Sequence, residues 1–296
     1  MLRLTHNDLQ LTQHKIDWLH PQVLTSMQRH RLRLVQLSDL HFYEMTDRTF
    51  YDRVLARLAD LKPDLLFLTG DLIHYGPGYL GLAKEYFEKM QSLCPTVAIL
   101  GNHDYKDGSD SHGVRQMLKE AGVLLLVNEA YHHHQDPVKY LGLNLSHEDV
   151  SQDTPRLWLL GLDDLWHGTV DFDKALSPLA DAKETDAVLC LAHNPRLFPK
   201  LLWEWQQREI KPKLGLMFSG HTHAGHVYLP WLGSFYRWVF HIVFRYGLFE
   251  QQGHHLYVSS GLGSAACYIP KLFNGIAFPR FRYNTYPEIV VFDWEK

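Results

Sequence analysis

Five short motifs set carboxylates, carboxamides and imidazoles close together: Asp39-x-His41, Gly70-Asp71, Gly101-Asn102-His103-Asp104, His193-Asn194-Pro195 and Gly220-His221-Thr222-His223. Oxygen and imidazole donors without thiolate suit catalytic Mn, Fe, Co or Zn rather than a structural zinc site. Two adjacent divalent cations repel each other, so such a pair needs a shared anionic ligand, and an Asp on a central strand can bridge in that way. Cations about 3.5–4 Å apart can hold both oxygens of a phosphoryl group and activate a water between them. Singly the motifs carry little: Asp39-x-His41 is a common surface turn, and Gly70-Asp71 alone is only a turn. Gly101-Asn102-His103-Asp104 and His221-x-His223 are more specific. All five in one chain point to one metal-binding cleft.

Each motif closes an apolar run. Leu32–Leu37, Leu65–Leu68, Thr96–Leu100, Ala187–Ala192 and Leu214–Ser219 read as strands, and the metal-capable residues follow directly. In open α/β sheets, ligands bind beyond the carboxyl ends of strands. Gly70, Gly101 and Gly220 allow sharp turns and close approach there. Between the early strands, Thr46–Leu61, Pro77–Leu93 and Ser111–Ala121 read as helices, and Val123–Val127 as a fourth strand. Strand–helix alternation predicts parallel pairing and an α/β layered fold. The second half is richer in strands, with Leu157–Gly161, His226–Leu229, His254–Ser259 and Glu288–Phe292 added and one helix, Pro195–Glu209. A sandwich of mixed sheets with helices outside is the economical architecture. Asp136–Thr154 reads as a hairpin or loop.

The composition agrees with a globular metalloprotein. Twenty histidines are in excess, and imidazole is the commonest transition-metal ligand. A net charge of −4 argues against bulk nucleic-acid binding. Cys94, Cys190 and Cys267 give no disulfide framework, Cys94 and Cys190 reading as small core residues, and a reducing, cytoplasmic setting is the simplest expectation. The start of the chain lacks the pattern of a secretory signal, and no run of about 20 uncharged apolar residues predicts a transmembrane helix.

The motif set resembles the calcineurin-like metallophosphoesterase family, from about Leu34 to Val291. The resemblance implies a four-layer α/β/β/α sandwich with mixed sheets. It implies that Asp39, His41, Asp71 and His223 hold one divalent ion, that Asp71, Asn102, His193 and His221 hold a second, and that Asp71 bridges. It further implies attack on phosphorus by a metal-held hydroxide, with Mn the first choice of metal and Fe, Zn or Co as others. His103 would stabilise the transition state or protonate the leaving oxygen, and Asp104 would orient His103. As domains, 1–31 reads as an N-terminal extension and 32–296 as a single metallophosphoesterase domain with an aromatic-rich insertion at about 231–249.

Asn128-Glu129, Gly161-Leu162-Asp163-Asp164, Leu191-Ala192-His193-Asn194-Pro195, Gly220–His226, Ser260-Gly261-Leu262-Gly263 and Pro287-Glu288-Ile289 are similar to the bacterial YaeI-type phosphodiesterase branch. Some members of that branch are similar to UDP-2,3-diacylglucosamine pyrophosphatases of lipid A biosynthesis. The expected substrate is thus a lipid-linked nucleotide diphosphate. The alternatives are a soluble phosphodiesterase for cyclic nucleotides or other small phosphodiesters, and a non-catalytic scaffold, which would need missing ligands. Trp231–Phe249 bears on the choice. Its aromatic residues, with Arg237, His241 and Arg245 along one helical face, read either as a helix packed on the sandwich or as a peripheral contact with the inner face of a membrane. His132-His133-His134 reads as a strand or loop, His226 as a residue beside the ligands, and Asp163 and Asp164 as cleft-lining or turn residues. Arg115 and Arg196 are candidate phosphate contacts that no spacing supports.

Overall fold

The computed structural model describes residues 7–136, 141, 154–225, 228–229, 233–234, 243–263, 267–268, 277–278 and 282–296. Two six-stranded mixed sheets form its centre. The first comprises β1 (Gln10–Ile16), β2 (Arg31–Leu37), β3 (Leu65–Thr69), β4 (Thr96–Ile99), β5 (Leu124–Leu125) and β16 (Glu288–Glu295), in the order β1-β16-β2-β3-β4-β5. The second comprises β6 (Glu129–His132), β7 (Leu157–Gly161), β8 (Ala187–Leu191), β9 (Leu214–Ser219), β12 (Gly247–Gln251) and β13 (His254–Val258), in the order β12-β13-β9-β8-β7-β6. Two small antiparallel pairs, β10 (Tyr228–Leu229) with β11 (Gly233–Ser234) and β14 (Cys267–Tyr268) with β15 (Ala277–Phe278), complete the strands.

The strands that lead into the motifs are parallel: β2, β3 and β4 in one sheet, β8 and β9 in the other. Strands buried on both faces read as unbroken apolar runs. In β3, Leu66 and Leu68 face α2 (Arg48–Leu61), α3 (Leu80–Leu93) and α4 (His112–Glu120), packing with Val54, Leu58, Phe87, Met90 and Leu118. Leu65 and Phe67 face the second sheet and meet Leu189, Leu216 and Phe218. On the far side of that sheet, Cys190, Met217 and Leu256 pack on Phe198, Leu201 and Trp205 of α6 (Leu197–Gln207) and on α5 (Phe172–Leu176). The layers are therefore α/β/β/α. Cys94 and Cys190 are buried, unpaired thiols.

The segment ahead of residue 32 adds an edge strand and a short helix, α1 (Pro21–Ser26). β1 lies parallel to β16, and Ile16, Leu19, Val23, Leu24 and Met27 enter the core between the sheets. The strand expected over Val123–Val127 is confined to Leu124–Leu125; of the one expected over His226–Leu229, Tyr228–Leu229 is strand and 226–227 lie outside the described residues. His226, Trp231, the aromatic stretch 235–242 and nearly all of Asp136–Thr154 lie outside the described residues. No helix among the described residues is long and apolar enough to cross a membrane.

Phe218 shows how strongly the two sheets depend on their shared core. It is fully buried, with its ring 4.8 Å from Phe67 and 5.2 Å from Phe292. Phe218→Ala removes that contact from between the sheets, and urea denaturation is expected to show a loss of about 3–5 kcal/mol.

Candidate metal centre

The carboxyl ends of β2, β3, β4, β8 and β9 meet at one end of the sandwich. Ligand-capable atoms of Asp39, His41, Asp71 and His223 lie within 4.8 Å of one another, and so do those of Asp71, His193 and His221. Asp71 is common to both groups. Its Oδ2 is 3.6 Å from His41 Nε2 and 3.4 Å from His193 Nε2, while Oδ1 accepts the His103 backbone amide at 2.8 Å. Ring nitrogens converge in the same space: His41 Nε2 lies 3.1 Å from His223 Nε2, and His221 Nδ1 lies 3.2 Å from His193 Nε2. His223 Nε2 is 3.3 Å from Asp39 Oδ1.

Local backbone geometry aims these side chains. Asp39, His41, Asp71, His221 and His223 have φ of 52°, 50°, 52°, 71° and 48°, in the left-handed region. Non-glycine residues held in sparsely populated regions cost roughly 1–3 kcal/mol each and concentrate at functional sites. The turns are locked to one another. The Asp39 amide donates to the Gly70 carbonyl at 3.0 Å, the His41 amide to the Asp71 carbonyl at 2.9 Å, and the His221 amide to the Asp39 carboxylate at 3.1 Å. Gly220 is required by close approach, because a Cβ there would overlap Ser38 Oγ and the Asp39 carboxylate. The loop after β13 closes the cluster, with the Leu262 and Gly263 amides donating to the Ser38 and Asp39 carbonyls.

Burial and the mutual fields of its members set the protonation of the cluster. Burial pushes Asp39 up to about 6 and His221 down to about 3, and it holds His41 well below the usual imidazole range. Burial alone would raise Asp71, but the fields of His193 and His103 and a hydrogen bond from His193 outweigh it and hold Asp71 well below the carboxylate range. Burial alone would lower His193, but the Asp71 charge carries it up to about 10. A carboxylate ringed by imidazoles is a donor set suited to divalent cations. A further mark of fit is Asn102, buried on the turn after β4, whose Oδ1 has no hydrogen-bond partner among the described residues. A buried amide oxygen left in that state costs free energy that a cation would recover.

The structure also brings in residues that spacing does not reveal. His74 is buried, its ring stacks on His103 at 4.8 Å, and its carbonyl receives His103 Nδ1 at 2.9 Å. With His41 and His103 it forms a third group of convergent imidazoles. The Arg282 guanidinium is fully buried beside His223 Nδ1, at 3.3 Å, and donates to the Gly261 carbonyl at 3.1 Å. Trp166 stands edge-on to His221 with ring centres 4.3 Å apart. None of these belongs to a recurring motif, so only the fold reveals them.

The Asp104 carboxylate bonds backbone amides. Oδ1 accepts the Leu72 and Ile73 amides at 2.8 and 3.1 Å, and Oδ2 accepts the Gly101 amide at 2.8 Å. Asp104 therefore ties the turn after β4 to the turn after β3. The His132-His133-His134 run is remote from the cluster in its contacts: His133 Nδ1 accepts the Leu157 amide at 3.0 Å, and His132 packs edge-on against Trp158. Arg115 donates to Ser111 and Tyr105.

A family model described as calcineurin-like phosphoesterase matches residues 32–225. The uncharacterized metallophosphoesterase YkuE of Bacillus subtilis is 27% identical, covering 95% of this chain and 86% of its own. The phosphodiesterase YaeI of Escherichia coli is 26% identical over 78% of this chain and 75% of its own. The UDP-2,3-diacylglucosamine pyrophosphatase LpxG of Chlamydia muridarum is 27% identical over 77% of this chain and 73% of its own.

Asp104→Asn separates its two oxygens. The substituted amide can still accept from Leu72 and Ile73 but turns a donor toward the Gly101 amide. The loss of an accepted amide bond and a buried donor–donor contact should cost about 2–4 kcal/mol, read by chemical denaturation.

Proposed function

The chain belongs to the calcineurin-like phosphoesterase family, and from that premise we propose that it is a two-metal phosphohydrolase acting on a lipid-linked nucleotide diphosphate such as UDP-2,3-diacylglucosamine. The observation that carries the metal chemistry is the Asp71 carboxylate, shared by two groups of convergent ligand atoms. Asp39, His41, Asp71 and His223 would hold one divalent ion, and Asp71, Asn102, His193 and His221 the other. The ions, when bound, supply a Lewis-acid centre for phosphoryl oxygens and for activating water.

The protein's own groups do the rest. Two histidines are oriented through Nδ1, His193 on the Thr69 carbonyl at 2.8 Å and His103 on the His74 carbonyl at 2.9 Å. A backbone partner at Nδ1 fixes the tautomer and turns Nε2 toward the cleft. For His193 that atom faces Asp71; His103, when doubly protonated, would donate from Nε2 to the leaving oxygen. His103 is held by its own amide on Asp71 Oδ1, by the His74 ring and by the turn that Asp104 pins. No side chain is required as a covalent nucleophile.

The substrate assignment is supported by relatives at 26–27% identity, among them a pyrophosphatase of UDP-2,3-diacylglucosamine and a phosphodiesterase. The second reading, a phosphodiesterase for small soluble diesters, uses the same centre. Purified protein with Mn²⁺ is expected to release UMP from UDP-2,3-diacylglucosamine, and Asp71→Ala is expected to abolish release and to lower bound metal from about two ions per chain. Cleavage of an aryl phosphodiester without UMP release would keep the metal chemistry and replace the lipid substrate by a soluble diester.

A further inference from the structure

Two motifs have no part in the metal chemistry: Asn128, and Asp163 with Asp164 at the end of β7. Together they build one braced loop. The Asn128 side chain accepts the Asp163 amide at 3.1 Å and donates to the Thr169 carbonyl at 2.7 Å. The Asp163 carboxylate accepts the Asp164 amide at 2.8 Å, the Thr169 amide at 2.9 Å and the Tyr105 hydroxyl. Gly168 lies against that carboxylate so closely that a Cβ would overlap it. Asp164 is fully buried, and its Oδ2 accepts the Trp166 and His167 amides, both at 2.7 Å.

The residue presented by this bracing is Trp166. Its side chain is large and apolar, yet the residue is 54% exposed. It stands on the rim of the metal centre, at 83° to the His221 ring. An exposed indole is ordinarily a loss, since burying it elsewhere would remove much apolar area from water. Here four side chains, Asn128, Tyr105, Asp163 and Asp164, fix the loop that keeps it outside. An indole beside a phosphoryl site matches a planar ring joined to an anionic ester.

We propose that Trp166 is a specificity-determining residue that stacks on a planar ring, such as a nucleobase, carried by the phosphoester bound at the metal centre. This rests on the phosphoesterase reading and names the part of the substrate that the metals do not touch. Stacking of a base on an aromatic side chain is sequence-tolerant and rewards flatness, so the preference is for a planar group over an open sugar.

Uridine 5′-monophosphate and ribose 5-phosphate share the phosphate and sugar and differ in the base. Calorimetry on Mn²⁺-loaded protein is expected to show tighter binding of the nucleotide. Trp166→Ala should weaken it by about tenfold or more while changing ribose 5-phosphate by less than about twofold, and Trp166→Phe should recover most of the loss. Bound Mn²⁺, measured on the same samples, should be unchanged. Equal weakening of both probes, or loss of Mn²⁺, would overturn the proposal and leave Trp166 as a support for the His221 ring. Equal binding of the two probes by the wild type would overturn it with the phosphoesterase reading intact. Wild-type protein that neither binds Mn²⁺ nor cleaves bis(p-nitrophenyl) phosphate would overturn both.

Discussion

The structure turns on one buried carboxylate. Asp71 sits at the end of a central strand, almost wholly removed from water, with His41, His193 and the His103 amide around it. A charge in that position costs several kcal/mol unless it is paired. The imidazoles that pair it come from β2 and β8, which lie in different sheets. The two sheets must therefore meet at this end with little tolerance. Asp39 on Gly70 and His41 on Asp71 lock two turns of the first sheet together, and the His221 amide on the Asp39 carboxylate ties them to the second. Gln36 adds a buried side-chain link, donating to Thr69 in its own sheet and to the Ser219 carbonyl in the other. Left-handed backbone at Asp39, His41, Asp71, His221 and His223 is tolerated because these bonds over-determine it.

The same constraint explains residues outside the ligand groups. Asp104 holds the turns after β3 and β4 in register through three amides. Glu288, buried at the start of β16, accepts the Ser260 amide at 2.8 Å and the Thr12 hydroxyl at 2.9 Å. It thereby joins β1 to the loop that closes over Asp39. Arg282 reaches the same loop through the Gly261 carbonyl. Each of these buried polar groups is placed where it orders a turn that carries a cluster residue or covers one. The cluster is thus positioned mainly by backbone geometry, and these groups act on the backbone.

How much of this is legible in the sequence follows from periodicity. The strands leading to the cluster are buried on both faces, so Leu65–Thr69 and Leu214–Ser219 appear as apolar runs with polar residues only at their ends. Fold class and the groups of candidate ligands can be read from that punctuation. β1 cannot: Gln10–Ile16 is a half-exposed edge strand with polar residues at most positions, and its partner lies at the other end of the chain. His74 stays hidden because nothing in its spacing separates it from an ordinary loop histidine. For Asp104 the resemblance implies a bond to the His103 ring, whereas from the short helical turn at Asp104–Lys106 its carboxylate reaches the Leu72, Ile73 and Gly101 amides. Positions 235–242 stay a matter of sequence alone.

A metal shell of this kind grips phosphoryl oxygens, and those are common to every phosphoester. Such a shell can therefore fix the reaction while leaving the substrate open. Discrimination has to come from groups that reach past the phosphorus, and the rim provides chemically distinct ones. Trp166 flanks His221, while Tyr75, 43% exposed with Lys106 Nζ 5.6 Å over its ring, flanks His103. The two aromatic residues border different imidazoles of one centre, so a diester or diphosphate lying across it meets a different surface on each side of the bond that breaks. Selectivity between the two substituents would then rest with Trp166 and Tyr75, whose side chains stand outside the groups of convergent ligand atoms. The bracing of the β7 loop is built from side chains outside the groups of convergent ligand atoms, so it would hold a selecting residue in place without drawing on the ligands.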